Sequence, residues 1–410
     1  LALARTAAQY GATLANYAPV AQLIEGAGRV TGARLVDDTE VRAAVVVNAG
    51  GVWSQQVAHL AGDTATSPVA IRPAKGVHLA VPAAKLPCDF ASVLAVPGDK
   101  RSIFVVPWAA DEIQHGTAAE SGHYTYVGTT DTDYDGPLDD PQCTADDVEY
   151  VLRAVNTWTT ATLTPDDVTG TWAGLRPLVS DAKSARTADL SRRHTVITSP
   201  NGLVTVTGGK LTTYRRMAAD TVDVVARSLP GHRVPASPTR RLSLVGAPGG
   251  ACGQPGEATA IPSPAGLVPG VLAHLAGRHG TETSEVLGLC DADPAFGEPL
   301  VPGLPYLRAE AVWAVRREMA RTLDDVLARR TRALILDREA TARAAGDVAA
   351  LLGPELGWSA TEQAAQVATF EQLVDAERRA NRAGANAPAD GNATAGANAP
   401  APGPTTAATP

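Results

Sequence analysis

The residues best suited to chemistry gather around one glycine turn. Leu203 to Thr207 alternates β-branched and apolar residues like a strand, Gly208-Gly209 follows, and a helix begins near Tyr214. Adjacent glycines let the backbone come close to a flat or charged ligand, and the first helical turn offers free N–H groups at a positive dipole end, with Lys210 beside them. A tight β–α turn in any α/β protein reads the same way, so the pattern alone does not separate binding from architecture. Just upstream stand Arg176, in Ala173-Gly174-Leu175-Arg176-Pro177-Leu178, and Arg192, in Asp189-Leu190-Ser191-Arg192. A guanidinium presents a planar fork that fits phosphate or carboxylate, so Arg176, Arg192 and Lys210 together would hold a doubly charged oxyanion; surface salt bridging is the competing assignment. His78, between Val77 and Leu79 on an alternating stretch, faces opposite to both, into a pocket or onto a wet surface.

These groups need a scaffold, and the pattern supplies one in pieces. Leu1 to Tyr10 reads as a helix, Leu14 to Tyr17 and Val30 to Val36 as strands about a turn at Gly26 to Arg29, and Ala43 to Asn48 as an apolar central strand. That strand ends in Asn48-Ala49-Gly50-Gly51-Val52-Trp53 and enters a helix to Leu60, like one edge of a dinucleotide crevice, although the G-x-G-x-x-G fingerprint is absent from the chain. From Asp63 to Thr198 short strands dominate: Arg72 to Val81, Ile103 to Trp108 and Tyr124 to Thr129. Thr144 caps a helix running to about Thr162. After the turn, Tyr214, Met217, Ala218, Thr221, Val222 and Val225 recur at helical spacing, predicting one buried face. Pro235 to Pro305 reads as a long connection with a short helix near Val271 to Arg278; Leu307 to Glu318, Leu323 to Ala345 and Thr361 to Arg382 read as helices, the second capped by Thr322 with Asp325. Ala383 to Pro410 holds almost no large apolar residue and is predicted to be disordered.

Composition removes several classes of function. A net charge of −8 over 410 residues argues against nucleic-acid binding, so an anionic ligand must be met by local cations. Cys88, Cys143, Cys252 and Cys290 show no paired spacing, which favours neither a zinc site nor a disulfide framework. No apolar run is long enough to span a bilayer, while surface attachment stays open. Asp131-Thr132-Asp133-Tyr134-Asp135-Gly136 opens like a calcium loop, but its twelfth position falls on Gln142 instead of the required glutamate, and no metal site is expected.

Taken together, Lys75-Gly76-Val77-His78-Leu79, Gly128 to Leu138, Ala173 to Leu178, Thr187 to Arg192 and Gly208 to Arg215 resemble the bacterial FAD-dependent sn-glycerol-3-phosphate dehydrogenases in order and spacing. Tyr306 to Glu318 and Thr322 to Arg332 resemble the helical C-terminal domain of that family. The resemblance implies an α/β chain: part of a glutathione-reductase-type FAD domain with an inserted mixed-β substrate domain, an all-α C-terminal domain and a disordered tail. The implied divisions are 1–62 and 199–232 for the FAD domain, 63–198 for the β-rich substrate domain, 233–305 for a linker, 306–382 for the helical domain and 383–410 for the tail. It further implies that Ala49, Gly50, Gly51, Gly208, Gly209, Lys210, Leu211 and Thr212 line FAD, and that Arg176, Arg192 and Lys210 bind the substrate phosphate. His78 is the expected base, with Arg176 and Lys210 also catalytic and arginine or lysine neighbours open as alternative bases. Implied partners are glycerol 3-phosphate and a quinone, in a cytoplasmic protein with peripheral contact to the inner face of the plasma membrane and a homodimer left open. An oxidase using oxygen and a non-catalytic fragment are the alternatives. The chain departs from the family in lacking the first glycine fingerprint, from which an N-terminal truncation and weak FAD binding are expected.

Overall fold

The computed structural model describes residues 1–61, 70–108, 123–180, 193–229, 231, 234–247 and 269–382. Arg192, Cys252 and the segment 383–410 lie outside them. Helix α1 (Ala2–Gln9) precedes a hairpin of β1 (Val20–Gly26) and β2 (Arg29–Leu35), turned at Ala27 and Gly28 with φ of 52° and 74°, as a two-residue turn matched to strand twist requires. β3 (Glu40–Arg42) pairs with β2 and completes a three-stranded sheet. The strand expected at Leu14–Tyr17 does not form. Tyr17 has φ of 53°, outside the extended region, and its hydroxyl donates to Asp325 at 2.8 Å. The next strand, expected over Ala43–Asn48 as a central one, is the two-residue β4 (Val47–Asn48), with Val47 exposed. An apolar run shows compatibility with burial; it does not supply the neighbours that would bury it. A 3₁₀ turn at Gly51–Trp53 then leads into α2 (Ser54–His59).

A larger sheet is formed by β5 (Ala70–Pro82), β6 (Ser92–Ala95), β7 (Ser102–Trp108), β8 (Tyr124–Gly128), β9 (Thr132–Asp133) and β10 (Gly170–Ser180). Its order is β10-β5-β8-β7-β6, antiparallel throughout, with β9 on the early half of β5. Alternation decides its faces. Val77, Leu79, Val81, Ile103, Val105 and Val127 pack on one side against Val148, Val151, Leu152 and Val155 of α3 (Ala145–Trp158). Thr144 starts α3 by accepting from the Asp147 N–H at 3.4 Å, while Asp147 accepts from the Thr144 N–H at 2.9 Å. The helix stops at Trp158, short of the expected Thr162, because Thr159 turns to extended backbone.

β11 (His194–Thr198) pairs antiparallel with β12 (Val204–Gly208), which runs parallel to β4 through Val204↔Val47 and Thr205↔Asn48. α4 (Tyr214–Ser228) packs on both β11 and β12. Of its expected buried face Thr221 is buried, whereas Tyr214 and Val222 are 41% and 51% exposed. Helical period fixes which residues share a face, not what lies against it. Downstream, α5 (Pro269–His279), α6 (Thr283–Ala292) and α7 (Arg308–Glu318) enclose Leu275, Val286, Leu287 and Trp313, so the stretch expected as mostly connection carries two helices. The single helix expected over Leu323–Ala345 is divided into a π-helical segment (Asp325–Arg330), α8 (Ala333–Leu336) and α9 (Arg338–Leu356). Arg332 at φ 63° breaks it once, and Asp337 breaks it again by capping α9 through the Ala340 N–H at 2.8 Å. The expected Thr322 cap forms, accepting from the Asp325 N–H at 3.0 Å. α10 (Ala360–Arg382) closes the helical part, whose core of Leu323, Val326, Leu327, Leu334 and Phe370 also takes in Ala80, Tyr124 and Tyr126 from the large sheet.

Candidate active site

Strands β5 and β10 pair without a register shift, setting Trp172 opposite His78, Gly174 opposite Gly76 and Arg176 opposite Ala74. Side chains two apart share a face, so His78, Gly76, Trp172, Gly174 and Arg176 stand together on the side away from α3. The His78 imidazole lies flat on the Trp172 indole, with centroids 4.9 Å apart and planes within 6°. On its other flank it reclines over Gly128, which pairs with His78 across β8; a Cβ at Gly128 would come within 2.7 Å of the imidazole Cδ2. The Arg176 guanidinium crosses Gly76 in the same manner, where a Cβ would meet Nη2 at 2.5 Å. Above Gly174, between these two groups in the strand order, a Cβ would meet nothing within 4 Å among the described residues. The result is a glycine floor, open in the middle, with a cation at one end and an imidazole at the other.

The charges are set by neighbours. Arg176 donates from Nη1 to the Thr130 carbonyl and to Asp131 Oδ1, both at 3.2 Å, and from Nη2 to Thr129 Oγ1 at 3.1 Å. Burial, and then the nearby Arg176 charge, push the His78 pKa down to about 4, so its imidazole is neutral near neutral pH. The Asp131–Gly136 stretch is organised by arginines: Asp131 pairs with Arg176 and Asp133 with Arg72. On the opposite face of β5, Lys75 Nζ meets Asp147 at 2.6 Å and the Gln142 carbonyl at 3.1 Å, both residues of the ion pair being buried. Lys75 therefore ties β5 to α3 and leaves the His78 face to other groups.

The cofactor-type residues occupy a second edge nearby. Because β4 and β12 are parallel, Ala49–Gly51 and Gly208–Gly209 leave their sheet at the same edge. Gly51, Gly208 and Gly209 have φ of 57°, 74° and 79°, a region that favours glycine. Two of them are also pressed by structure: a Cβ would meet the Arg193 carbonyl at 2.7 Å from Gly208 and Met217 Sδ at 2.6 Å from Gly209. A Cβ at Gly51 would meet no atom of the described residues within 4 Å, and Leu211 is 88% exposed. Val179, near the end of β10, lies 3.1 Å from where a Gly208 Cβ would be, and β10 also touches the Gly51–Trp53 turn. Thus β10 runs from the His78–Arg176 face to the glycine edge. Glycine backbone beyond the carboxyl ends of adjacent parallel strands lets a ligand approach the main chain closely.

The structure brings His78 and Arg176 onto one face and Ala49–Gly51 to one edge with Gly208–Gly209. Lys210, Leu211 and Thr212 are exposed residues of the turn after β12, and Arg192 lies outside the described residues. Sequence reasoning missed Trp172, Gly128, Gly174 and the Thr129–Asp131 support of Arg176. Trp172 shares a period of two with Arg176, a signal that was present; its stack with His78 depends on a pairing register that a single sequence does not disclose.

Comparison with known proteins follows the same lines. The chain matches a family model described as FAD dependent oxidoreductase over residues 1–215, and one described as the C-terminal domain of alpha-glycerophosphate oxidase over residues 237–363. It is 37% identical over 382 residues to glycerol-3-phosphate dehydrogenase 2 of Mycobacterium tuberculosis, an alignment covering 92% of this chain and 62% of the relative. To the human mitochondrial glycerol-3-phosphate dehydrogenase it is 33% identical, over 91% of this chain and 51% of the relative. The chain thus spans between about half and two thirds of the length of these curated relatives. Among solved structures, glycerol-3-phosphate dehydrogenase from Bacillus halodurans complexed with FAD superposes with a TM-score of 0.74 at 28% identity, covering 92% of this chain and 71% of that one. Matched over more than half its length by the family model and over most of it by a solved member's fold, the chain belongs to the FAD-dependent oxidoreductases.

Proposed function

We propose that this chain is the substrate-handling part of an enzyme that oxidises sn-glycerol 3-phosphate to dihydroxyacetone phosphate with FAD and passes the electrons to a quinone. The observation that carries the reading is His78 and Arg176 at opposite ends of a Gly174 floor that is open among the described residues, on a face from which β10 reaches the glycine edge. Arg176 would take the substrate phosphate, helped by Lys210 and Arg192, because a planar guanidinium suits contact with an oxyanion. That places the C2 hydroxyl toward His78, whose neutral ring accepts the hydroxyl proton. A pKa of about 4 makes a weak base, but part of that depression comes from the Arg176 charge, which a bound phosphate offsets. Trp172 and Gly128 fix the plane of the ring. Ala49–Gly51 and Gly208–Thr212 would hold the flavin, which would supply the acceptor for the hydride leaving C2. In this reading 1–62 and 199–232 form the FAD-binding part, 63–198 the substrate part and 306–382 the helical part.

A quinone dissolved in a bilayer requires contact with its surface; among the described residues no helix is long and apolar enough to cross one. Peroxide produced in step with turnover would assign oxygen as acceptor in place of quinone. Substrate handling is tested by Arg176→Ala in the FAD-loaded protein with an artificial acceptor. Leaving phosphate oxygens underpaired in a partly desolvated site costs about 2–5 kcal/mol, or roughly thirtyfold to several-thousandfold in kcat/KM. The loss should be severe with glycerol 3-phosphate and much smaller with glycerol, while His78→Ala depresses both. Equal loss on both substrates for Arg176→Ala would remove the phosphate role, and absence of turnover with any acceptor would leave the non-catalytic alternative.

A further inference from the structure

Among the described residues strand β10 is an edge of its sheet, pairing with β5 on one side, and the helical part grips its start at three consecutive residues, Thr169 just before the strand and Gly170 and Thr171 within it. The Thr169 carbonyl accepts from the Arg338 N–H at 2.9 Å. Gly170 lies against the end of α8, where a Cβ would meet the Ile335 carbonyl at 2.4 Å. Thr171 gives both its N–H, at 3.1 Å, and its hydroxyl, at 2.7 Å, to one carboxylate oxygen of Glu377 near the end of α10. Glu377 is 8% exposed and also accepts from Arg338 Nη1 at 3.1 Å. The next residue along β10 is Trp172, the plate on which His78 is stacked, and Arg176 follows on the same face.

We infer that Glu377 is a positioning residue: by pinning the outer edge of β10 at Thr171, it holds Trp172 against His78 and so lets the helical part set the plane of the imidazole. An edge strand presents unpaired N–H groups and moves more freely than a central one; a buried carboxylate that takes two donors from a single residue removes that freedom at Thr171. The functional weight of this latch rests on the reading of His78 as the base, but its geometry does not. The test therefore reads the ring and not turnover. In the 410-residue chain, the His78 Cε1–H resonance is titrated in wild type, Glu377→Ala, Glu377→Gln and, as a control on the same helix, Arg378→Ala, which loses exposed pairs with Glu339 and Asp375. Releasing β10 admits water to the ring and draws Arg176 away, so Glu377→Ala should raise the His78 midpoint by about one unit or more. Glu377→Gln, which still accepts from Thr171, should shift it much less, and Arg378→Ala not at all. If Glu377→Ala does not fold, Glu377→Asp takes its place, since it keeps the charge for Arg338 but falls one methylene short of Thr171. An unmoved His78 in the alanine or aspartate variant, or a glutamine variant shifted as far, overturns the inference. Intact His78 behaviour alongside lost substrate selectivity in Arg176→Ala would keep the proposed function while removing the latch.

Discussion

His78 is held neutral by its surroundings, and that has a consequence for stability as well as for chemistry. Its pKa is about 4 in the folded chain against an ordinary 6.5, so on acidification the unfolded chain binds this proton first. Stability from this site is therefore complete above about pH 6.5 and is lost as pH falls toward 4, by about 3 kcal/mol at most. His78→Gln should flatten that part of the dependence: its melting temperature should fall less than that of the wild type between about pH 6.5 and 4. Gly174 offers a different probe. Its Cβ would meet no neighbour among the described residues, so Gly174→Ala should leave stability within about 0.5 kcal/mol while the added methyl narrows the floor and lowers kcat/KM. A variant that lost stability and activity together would show the space above Gly174 to be structural. The direction of His78 was readable from Val77 and Leu79, because strand alternation is local. Its stack on Trp172 was not, because it is created by pairing between distant strands.

Strand β5 holds the site by opposing its two faces. Lys75 and Asp147 form a buried ion pair beneath the strand, and removing one partner leaves the other charge uncompensated. Lys75→Ala should cost about 3–5 kcal/mol by urea unfolding. The double change Lys75→Met with Asp147→Leu should recover most of this, remaining short by about 1 kcal/mol because Asp147 also completes the cap of α3. Failure of the double variant to recover would mean that the pair specifies the β5–α3 packing instead of merely neutralising itself. The cap at Thr144 was legible because it spans four residues. The division of Leu323–Ala345 was not, since its continuous apolar stripe outweighed the capping capacity of Asp337. β4 was overread for the opposite reason: its composition suits burial, yet only neighbours bring burial about.

Long-range contacts close the molecule. Arg5 meets Glu282, Tyr17 meets Asp325 and Thr171 meets Glu377, so the helical segments from α5 onward reach both the start of the chain and the site strand. The sequence marked the change from strands to helices by composition, but such contacts between distant segments have no local signature. On α4, Tyr214 and Val222 remain exposed despite their helical stripe. Val222→Lys should accordingly change stability by no more than about 0.5 kcal/mol while lowering binding of a hydrophobic dye, and a clear loss of stability would show that this face is covered. The central claim, that one face of the large sheet receives a phosphorylated polyol between Arg176 and His78, is tested most directly by titrating His78 in the FAD-loaded protein with and without saturating glycerol 3-phosphate. Phosphate at Arg176 offsets the charge that depresses His78, so its midpoint should rise from about 4 with glycerol 3-phosphate, stay put with glycerol, and show no ligand response in Arg176→Ala. A His78 midpoint indifferent to glycerol 3-phosphate, or one that responds equally in Arg176→Ala, would contradict the account.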